Sequence, residues 1–253
     1  MKRILLASIV SLAASSAMAA DVIYQEPAPM PMDVVSAVDW TGFYVGAQAG
    51  YGFGDTDTLV LTPLTPALTA AFAPGFSGDF DDGFVGGIHA GYDWQVNRFV
   101  FGGVLDVNYA DVGDAQVGMS TTPATYTIAR EIDYLINARI RGGFLVTERV
   151  LAYGTVGLAY ADVDFTYTQP GSGATFTTSG GQDDNIGYTV GGGVEAMITD
   201  RLSLGLEYLY TNLGGNDFNA TLTGGPFTPG TTLTGGEDDF DFHTVAVRLS
   251  YRF

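Results

Sequence analysis

The chain has two histidines and no cysteine, so few of its side chains suit acid–base or nucleophilic catalysis. His243 follows Asp239 and Asp241, and a Ser/His or Asp/His hydrolase needs a histidine beside a carboxylate. His89 falls in the middle of a predicted strand, on its inward face. One histidine near acidic residues is weak support for an enzyme. We therefore expect His243 to be a strand-end or loop residue, and we predict no catalytic residue and no cofactor.

Acidic clusters are a second possible source of chemistry, because carboxylates bind Ca²⁺ and Mg²⁺. They lie in segments predicted as loops: Asp55, Asp57, Asp79, Asp81 and Asp82; Asp162, Asp164, Asp183 and Asp184; Glu237, Asp238, Asp239 and Asp241. None has the twelve-residue spacing of an EF-hand, so solvated surface charge is favoured and no metal site is predicted. A weaker hypothesis is that divalent cations bridge these carboxylates to lipid phosphates.

A third set of charged residues alternates with apolar ones. Its members are Asp93, Asp106, Asp133, Arg139, Arg141, Glu195, Glu207, Arg248 and Arg252. A period of two places such residues on one face of a β-strand and the apolar residues on the other. The pattern predicts eight strands: Thr41–Phe53, Phe84–Gln95, Phe99–Tyr109, Ile132–Phe144, Val150–Tyr160, Ile186–Ile198, Leu202–Tyr210 and His243–Phe253.

For two of these strands we state which residues are predicted to face outward. In the fourth, the pattern places Ile132 and Tyr134 outward and Asp133 inward. The fifth carries apolar residues on both faces, and we predict that its outward set is Val150, Ala152, Val156, Leu158 and Tyr160.

The connections alternate in length. Three are tight turns, at Val96–Arg98, Val146–Arg149 and Thr199–Arg201, and four are long, at about 54–83, 110–131, 161–185 and 211–242. Strict alternation of short turns and long external loops is typical of an up-and-down barrel in an outer membrane. The roughly 50-residue spacing of the turns also suggests propeller blades, but each unit holds two long strands rather than four short ones.

The N-terminus has the features of a secretory signal peptide. Lys2 and Arg3 precede an apolar stretch, and Ala17-Met18-Ala19 provides small residues for cleavage after Ala19, with Ala20 as the competing site. Residues 20–39 are rich in Pro and Ala, which predicts an extended periplasmic linker before a barrel at 40–253. Removal of Lys2 and Arg3 takes the formal net charge from −18 to −20. Such an acidic chain is unsuited to bind nucleic acid.

Alternation alone does not distinguish a membrane barrel from a soluble one whose apolar face points inward. Three features favour the membrane. Each strand has at least about nine residues, enough to cross a bilayer when tilted. Apolar residues at strand ends are often aromatic, as interfacial girdles require. Glycines crowd the polar face, which suits a narrow lumen packed with charged side chains.

Four segments carry a family resemblance. The terminal Phe253, with Val247, Leu249 and Tyr251 on the same face, is similar to the C-terminal signal read by the barrel-assembly machinery. Trp40–Gly46, followed by Ala47–Tyr51, resembles the opening strand of the porin-like outer-membrane surface proteins of alphaproteobacteria, and residues 138–143 and 151–157 resemble their middle strands. The resemblance spans about residues 20–253 and implies the fold and the outer membrane, without a catalytic motif.

An eight-stranded barrel is just wide enough for side chains to fill it. We therefore expect the nine alternating charges to neutralise one another in a plugged lumen, which makes a structural surface protein the favoured function. A narrow passive channel and loop-mediated adhesion are the alternatives. The expected partners are outer-membrane lipid and lipopolysaccharide, with the barrel-assembly machinery during insertion, and a monomer is favoured.

Overall fold

The computed structural model describes residues 38–55, 60–62, 76–120, 124–168, 175–180, 186–214, 217–224, 227–236 and 240–253. The predicted signal peptide and most of the predicted linker lie in residues 1–37, outside the described residues. Those described form strands and turns, and no helix among them is long and apolar enough to cross a membrane.

Eight of the described strands form a closed antiparallel barrel. They are β1 (Gly42–Phe53), β4 (Gly83–Val96), β5 (Phe99–Ser120), β6 (Ala124–Thr147), β7 (Val150–Thr168), β9 (Ile186–Met197), β10 (Leu202–Asn212) and β13 (Asp241–Arg252). Each pairs with the next in this order, and β13 pairs with β1 to close the barrel. The predicted fold and strand count are confirmed.

The register of the pairing sets the width of the barrel. Following paired residues once around from Phe43 returns to Phe53, so the register advances by ten residues per circuit. With strands about 4.8 Å apart and a rise of about 3.3 Å per residue, this stagger tilts the strands by about 40°. The resulting lumen has the width that side chains fill in small barrels.

The three tight turns lie where they were predicted, all at one end of the barrel, which we call the periplasmic end after the orientation that the sequence predicts. In the first, Asn97 has a φ of 57°, a left-handed conformation that asparagine tolerates better than most residues. Arg98 follows it, and the Arg98 carbonyl accepts a hydrogen bond from Leu145 of the next hairpin (2.8 Å).

The segments predicted as long external loops contain further strands, which corrects that prediction. β5 and β6 continue as a hairpin to Ser120 and Ala124, and β3 (Phe76–Asp81) pairs with the β5 extension. A separate four-stranded sheet has the order β2 (Val60–Thr62), β12 (Phe227–Gly236), β11 (Asp217–Gly224) and β8 (Thr175–Gly180). The run 222–236, rich in Gly, Thr and Pro, contributes to two of these strands.

Alternation determines what each face of the barrel presents. Most residues of the predicted outward sets are exposed on the barrel exterior, including Val156, Leu158 and Tyr160 of the ambiguous fifth strand, whereas Val150 and Ala152 of that strand are half-buried. Ile132 is the exception, because it is buried (2% exposed). A β-bulge between Ile132 and Tyr134 adds one residue to β6, and this reverses the alternation before it.

Candidate functional site

Eight of the nine alternating charges are buried in the lumen, where they form two four-residue chains. Each chain runs carboxylate, arginine, carboxylate, arginine. We call Asp106–Arg139–Glu207–Arg248 the central chain and Glu195–Arg141–Asp93–Arg252 the periplasmic chain. In both, β6 provides the first arginine and β13 the second. Two carboxylates and two guanidinium groups give each chain a formal charge of zero.

The central chain is held by hydrogen bonds from neutral side chains as well as by ion pairs. Arg139 contacts Asp106 at 2.8 Å and Glu207 at 3.0 Å, and Arg248 lies 2.6 Å from Glu207. Asp106 also accepts hydrogen bonds from Asn108 (2.7 Å) and Asn137 (2.8 Å). Glu207 accepts one from the Tyr153 hydroxyl at 2.8 Å. Both carboxylates are therefore surrounded by donors, as burial of a charge requires.

In the periplasmic chain, one guanidinium group binds both oxygens of a carboxylate. Arg141 donates to both oxygens of Asp93, through Nε at 2.9 Å and through Nη2, and contacts Glu195 at 2.9 Å. Ser203 donates to the other Glu195 oxygen at 2.6 Å. Arg252 lies 2.8 Å from Asp93. Asp93 thus serves two arginines, and its fork with Arg141 is the bidentate geometry that makes arginine–carboxylate pairs strong.

Aromatic rings enclose the periplasmic chain. The Tyr44 ring lies between two guanidinium groups, 4.7 Å from Arg141 and 5.0 Å from Arg252, and Trp40 lies 5.3 Å from Arg252. Such cation–π contacts stabilise a desolvated arginine. A glycine makes the space, because a Cβ on Gly91 would collide with the Tyr44 hydroxyl.

Buried apolar side chains lie beyond the charges at both ends of the lumen. The external layer consists of Val85, Ala110, Val112, Ile132, Leu135, Ala159, Ala161, Leu213, Phe240 and Phe242. The periplasmic layer consists of Val38, Trp40, Val100, Leu145, Leu151, Tyr153 and Met197. The sequence reasoning missed both layers, although the apolar residues on both faces of the fifth strand were a signal for them.

The outer surface is apolar between two aromatic bands. The periplasmic band contains Phe43, Tyr92, Trp94, Phe99, Phe101, Phe144, Tyr251 and Phe253, and the external band contains Tyr51, Phe53, Phe84, Tyr109, Tyr134, Tyr160, Tyr188, Tyr208 and Tyr210. Leu, Ile and Val side chains such as Ile88, Leu105 and Ile140 are exposed between them. An apolar surface of this extent requires lipid around it, and the two bands match the bilayer interfaces.

Comparison with known proteins agrees with this geometry. The family model described as outer membrane protein beta-barrel domain matches residues 5–253. The chain belongs to this family. It is 34% identical over 258 residues to the 31 kDa outer-membrane immunogenic protein of Brucella melitensis, covering 100% of both chains. It is 32% identical to the 22 kDa outer membrane protein of Rhizobium leguminosarum, covering 87% of this chain and 81% of the relative.

A solved structure gives the same fold. The crystal structure of OprG from Pseudomonas aeruginosa aligns with a TM-score of 0.53 at 12% identity, covering 85% of this chain and 97% of the OprG chain. The outer-membrane location predicted from the sequence is confirmed by the family and by these relatives.

Two residues singled out in the sequence lie away from the lumen of this outer-membrane barrel. Asp133 is exposed at the β6 bulge, so the prediction that it joins the lumen charges is wrong. His243 lies in the external aromatic band, with Nδ1 2.7 Å from the Tyr208 hydroxyl and its ring 5.5 Å from Phe53. No acidic residue is among these contacts.

The remaining residues singled out in the sequence are His89 and the acidic clusters. His89 is buried in the lumen, with Nε2 2.8 Å from the Ser250 hydroxyl. Near the bulge, a pocket of about 210 Å³ is lined by several carboxylates, including Asp81, Asp111 and Glu131. Within the described residues, no group of three or more His, Cys, Asp or Glu side chains has the geometry to hold a metal ion.

Proposed function

We propose that this barrel is a structural surface protein of the outer membrane whose lumen is filled by its own side chains. In this role it contributes to the integrity of the envelope and displays its external strands and loops. The pairing of the lumen charges into two neutral chains is the observation that carries the proposal.

The pairing supports a filled lumen over a conducting one for a physical reason. A permeating ion or solute would have to separate fully buried ion pairs such as Arg139–Asp106, whose side chains have no exposed surface. Separating such a pair leaves an uncompensated charge in a medium of low dielectric, at a cost of about 3–5 kcal/mol. The layers on either side of the chains are built mainly from apolar side chains, which do not replace the hydration of an ion.

Planar-bilayer recording tests the proposal. We expect the purified barrel to show no stable unitary conductance at any voltage that the bilayer tolerates. A porin reconstituted in the same bilayer is the positive control. Large, stable and reproducible conductance steps from the barrel would overturn the proposal and favour the narrow channel.

The same proposal assigns no enzymatic activity to the barrel. His243, the histidine closest to a catalytic arrangement in the sequence, lies among aromatic side chains in the lipid-facing band. We expect His243→Ala to leave lipid and peptide hydrolysis by the purified protein at the background of the buffer. A hydrolytic activity that is present in the unchanged protein and lost in this variant would contradict the assignment.

Surface display is the second part of the proposal. The external four-stranded sheet and the β5–β6 extension hold polar segments at the external end of the barrel. The name of the 31 kDa relative from Brucella melitensis describes it as immunogenic, which fits a chain whose outer end is accessible. Deletion of residues 217–236 should leave the barrel inserted. A loss of binding to host cells on this deletion would favour adhesion over a purely structural role.

The proposed partners follow from the outer face. Lipid and lipopolysaccharide contact the apolar band, and the barrel-assembly machinery reads the C-terminal positions Val247, Leu249, Tyr251 and Phe253, all exposed on that face. We expect Phe253→Ala to lower the amount of folded barrel in the outer membrane, with Phe101→Ala as the matched exposed control. Equal amounts for both variants would contradict a role in assembly.

A further inference from the structure

Trp40 lies inside the periplasmic end of the barrel, just before β1. It is fully buried (0% exposed). Its backbone N–H donates to Oε1 of Gln95 at 2.8 Å, and its indole N–H donates to the Glu148 carbonyl at 3.2 Å. Gln95 lies at the end of β4, and Glu148 in the turn between β6 and β7. Trp40 therefore connects two different hairpins across the opening, one through its backbone and the other through its side chain.

Arg252, the penultimate residue, binds the same tryptophan from the other end of the chain. Its Nη1 donates to the Trp40 carbonyl, its guanidinium lies 5.3 Å from the Trp40 ring, and its Nη2 lies 2.8 Å from Asp93. The Tyr44 ring of β1 packs against it at 5.0 Å. Arg252 is itself buried (3% exposed). These contacts join residues up to 212 positions apart.

All of these Arg252 contacts cross the seam where the barrel closes. β1 and β13 are the first and last strands of the barrel, and their pairing from Tyr44↔Arg252 to Phe53↔His243 requires both ends of the chain. The Arg248–Glu207 pair differs, because it joins β13 to its neighbour β10 and can form before β1 arrives. Contacts of such high sequence separation carry the largest loop-closure cost and are expected to form late.

We propose that Trp40 and Arg252 form a closure latch, a set of contacts completed only when β1 meets β13, which then holds Trp40 as a stopper in the periplasmic opening. The latch acts in assembly and goes beyond the proposed structural function. It assigns a role to Trp40, the residue at which the barrel begins after the predicted linker. Arg252 is a positioning residue here, because it acts by holding Trp40 and Asp93.

Thiol accessibility tests the stopper. The chain has no cysteine, so Met197→Cys introduces a single thiol into the buried layer beside Trp40. With the barrel folded in lipid vesicles, we expect a charged, water-soluble maleimide to modify this thiol at least tenfold faster when Trp40→Ala is added. Trp94→Ala is the matched control, because this other tryptophan is on the lipid face (56% exposed). Equal rates with and without Trp40→Ala would overturn the stopper.

Refolding kinetics test the latch. Formation of β-structure is followed by far-UV circular dichroism, and barrel closure by the altered gel mobility of the unheated protein. For Arg252→Gln we expect closure to lag β-structure at least threefold more than in the unchanged chain. Arg248→Gln, on the same strand but with an ion pair to β10 that does not cross the seam, should slow both signals in parallel. Parallel slowing in Arg252→Gln as well would overturn the latch.

A fluorescence measurement keeps the test valid if Arg252→Gln does not fold. Trp94→Phe leaves Trp40 as the single tryptophan, since the chain contains two. Its emission should shift to the blue together with closure, after β-structure has formed. A shift that coincides with β-structure would contradict the latch. These results are separate from the conductance test, because a barrel without a latch can still have a filled, non-conducting lumen.

Discussion

The two charged chains of the lumen have the same order of groups but different surroundings. In the central chain the terminal arginine, Arg248, makes its ion pair with Glu207 alone among the described residues. In the periplasmic chain the terminal arginine, Arg252, has Asp93, the Trp40 carbonyl and two aromatic rings. From this difference we expect that the position of a carboxylate within its chain, rather than its burial alone, sets what it contributes to stability.

The largest loss of stability is expected when the inner carboxylate of the central chain, the one that lies between two arginines, is removed. Glu207→Gln keeps the shape but removes the charge shared by Arg139 and Arg248, leaving an excess positive charge in the lumen. We expect the free energy of unfolding to fall by about 3–5 kcal/mol. Urea titration of the barrel in lipid vesicles measures it, with Glu148→Gln in an exposed turn as the control. A loss below about 1 kcal/mol would show that the inner position has no special weight.

A smaller loss of stability is expected when the end carboxylate of the periplasmic chain, which pairs with one arginine, is removed. In Glu195→Gln, Arg141 keeps its two hydrogen bonds to Asp93, and a glutamine can still accept from Ser203. We expect the free energy of unfolding to fall by about 1.5–3 kcal/mol in the same titration, the range for a hydrogen bond to a charged group. If this loss equals that of Glu207→Gln, the distinction between inner and end positions is wrong.

The strands of the barrel wall were predictable because the signals for them come from residues that are close together in the sequence. A period of two, tight turns and aromatic strand ends depend on neighbouring residues, and they led to the eight strands and to eight of the nine lumen charges. Which arginine meets which carboxylate was not predictable, because the partners come from strands far apart in sequence. Arg139 and Glu207, for example, are 68 positions apart, and only the register brings them together.

The errors in the prediction arise where one extra residue changes the pattern. Residues 110–131 were predicted as a loop, whereas the β5–β6 pairing continues past a register shift between Tyr109 and Val112 as far as Ser120↔Ala124. A bulge leaves no signature in the alternation except the reversal itself, so Ile132 and Asp133 were assigned to each other's faces. The sequence places Trp40 at the start of the barrel, directly before the first predicted strand, and nothing local indicates that its side chain turns into the lumen.

The smallest change in stability is expected for a substitution of Asp133. This residue is the reference against which substitutions in both chains are compared. It is exposed, and the nearby pocket contains Asp81, Asp111 and Glu131, so its charge has like charges around it. We expect Asp133→Asn to change the free energy of unfolding by less than about 0.5 kcal/mol, as for most surface substitutions. Asp106→Asn is the matched change in the lumen, where the carboxylate accepts from Arg139, and it should cost several times more. A large loss for Asp133→Asn would mean that this carboxylate does pair inside the barrel, as its place in the alternation predicts.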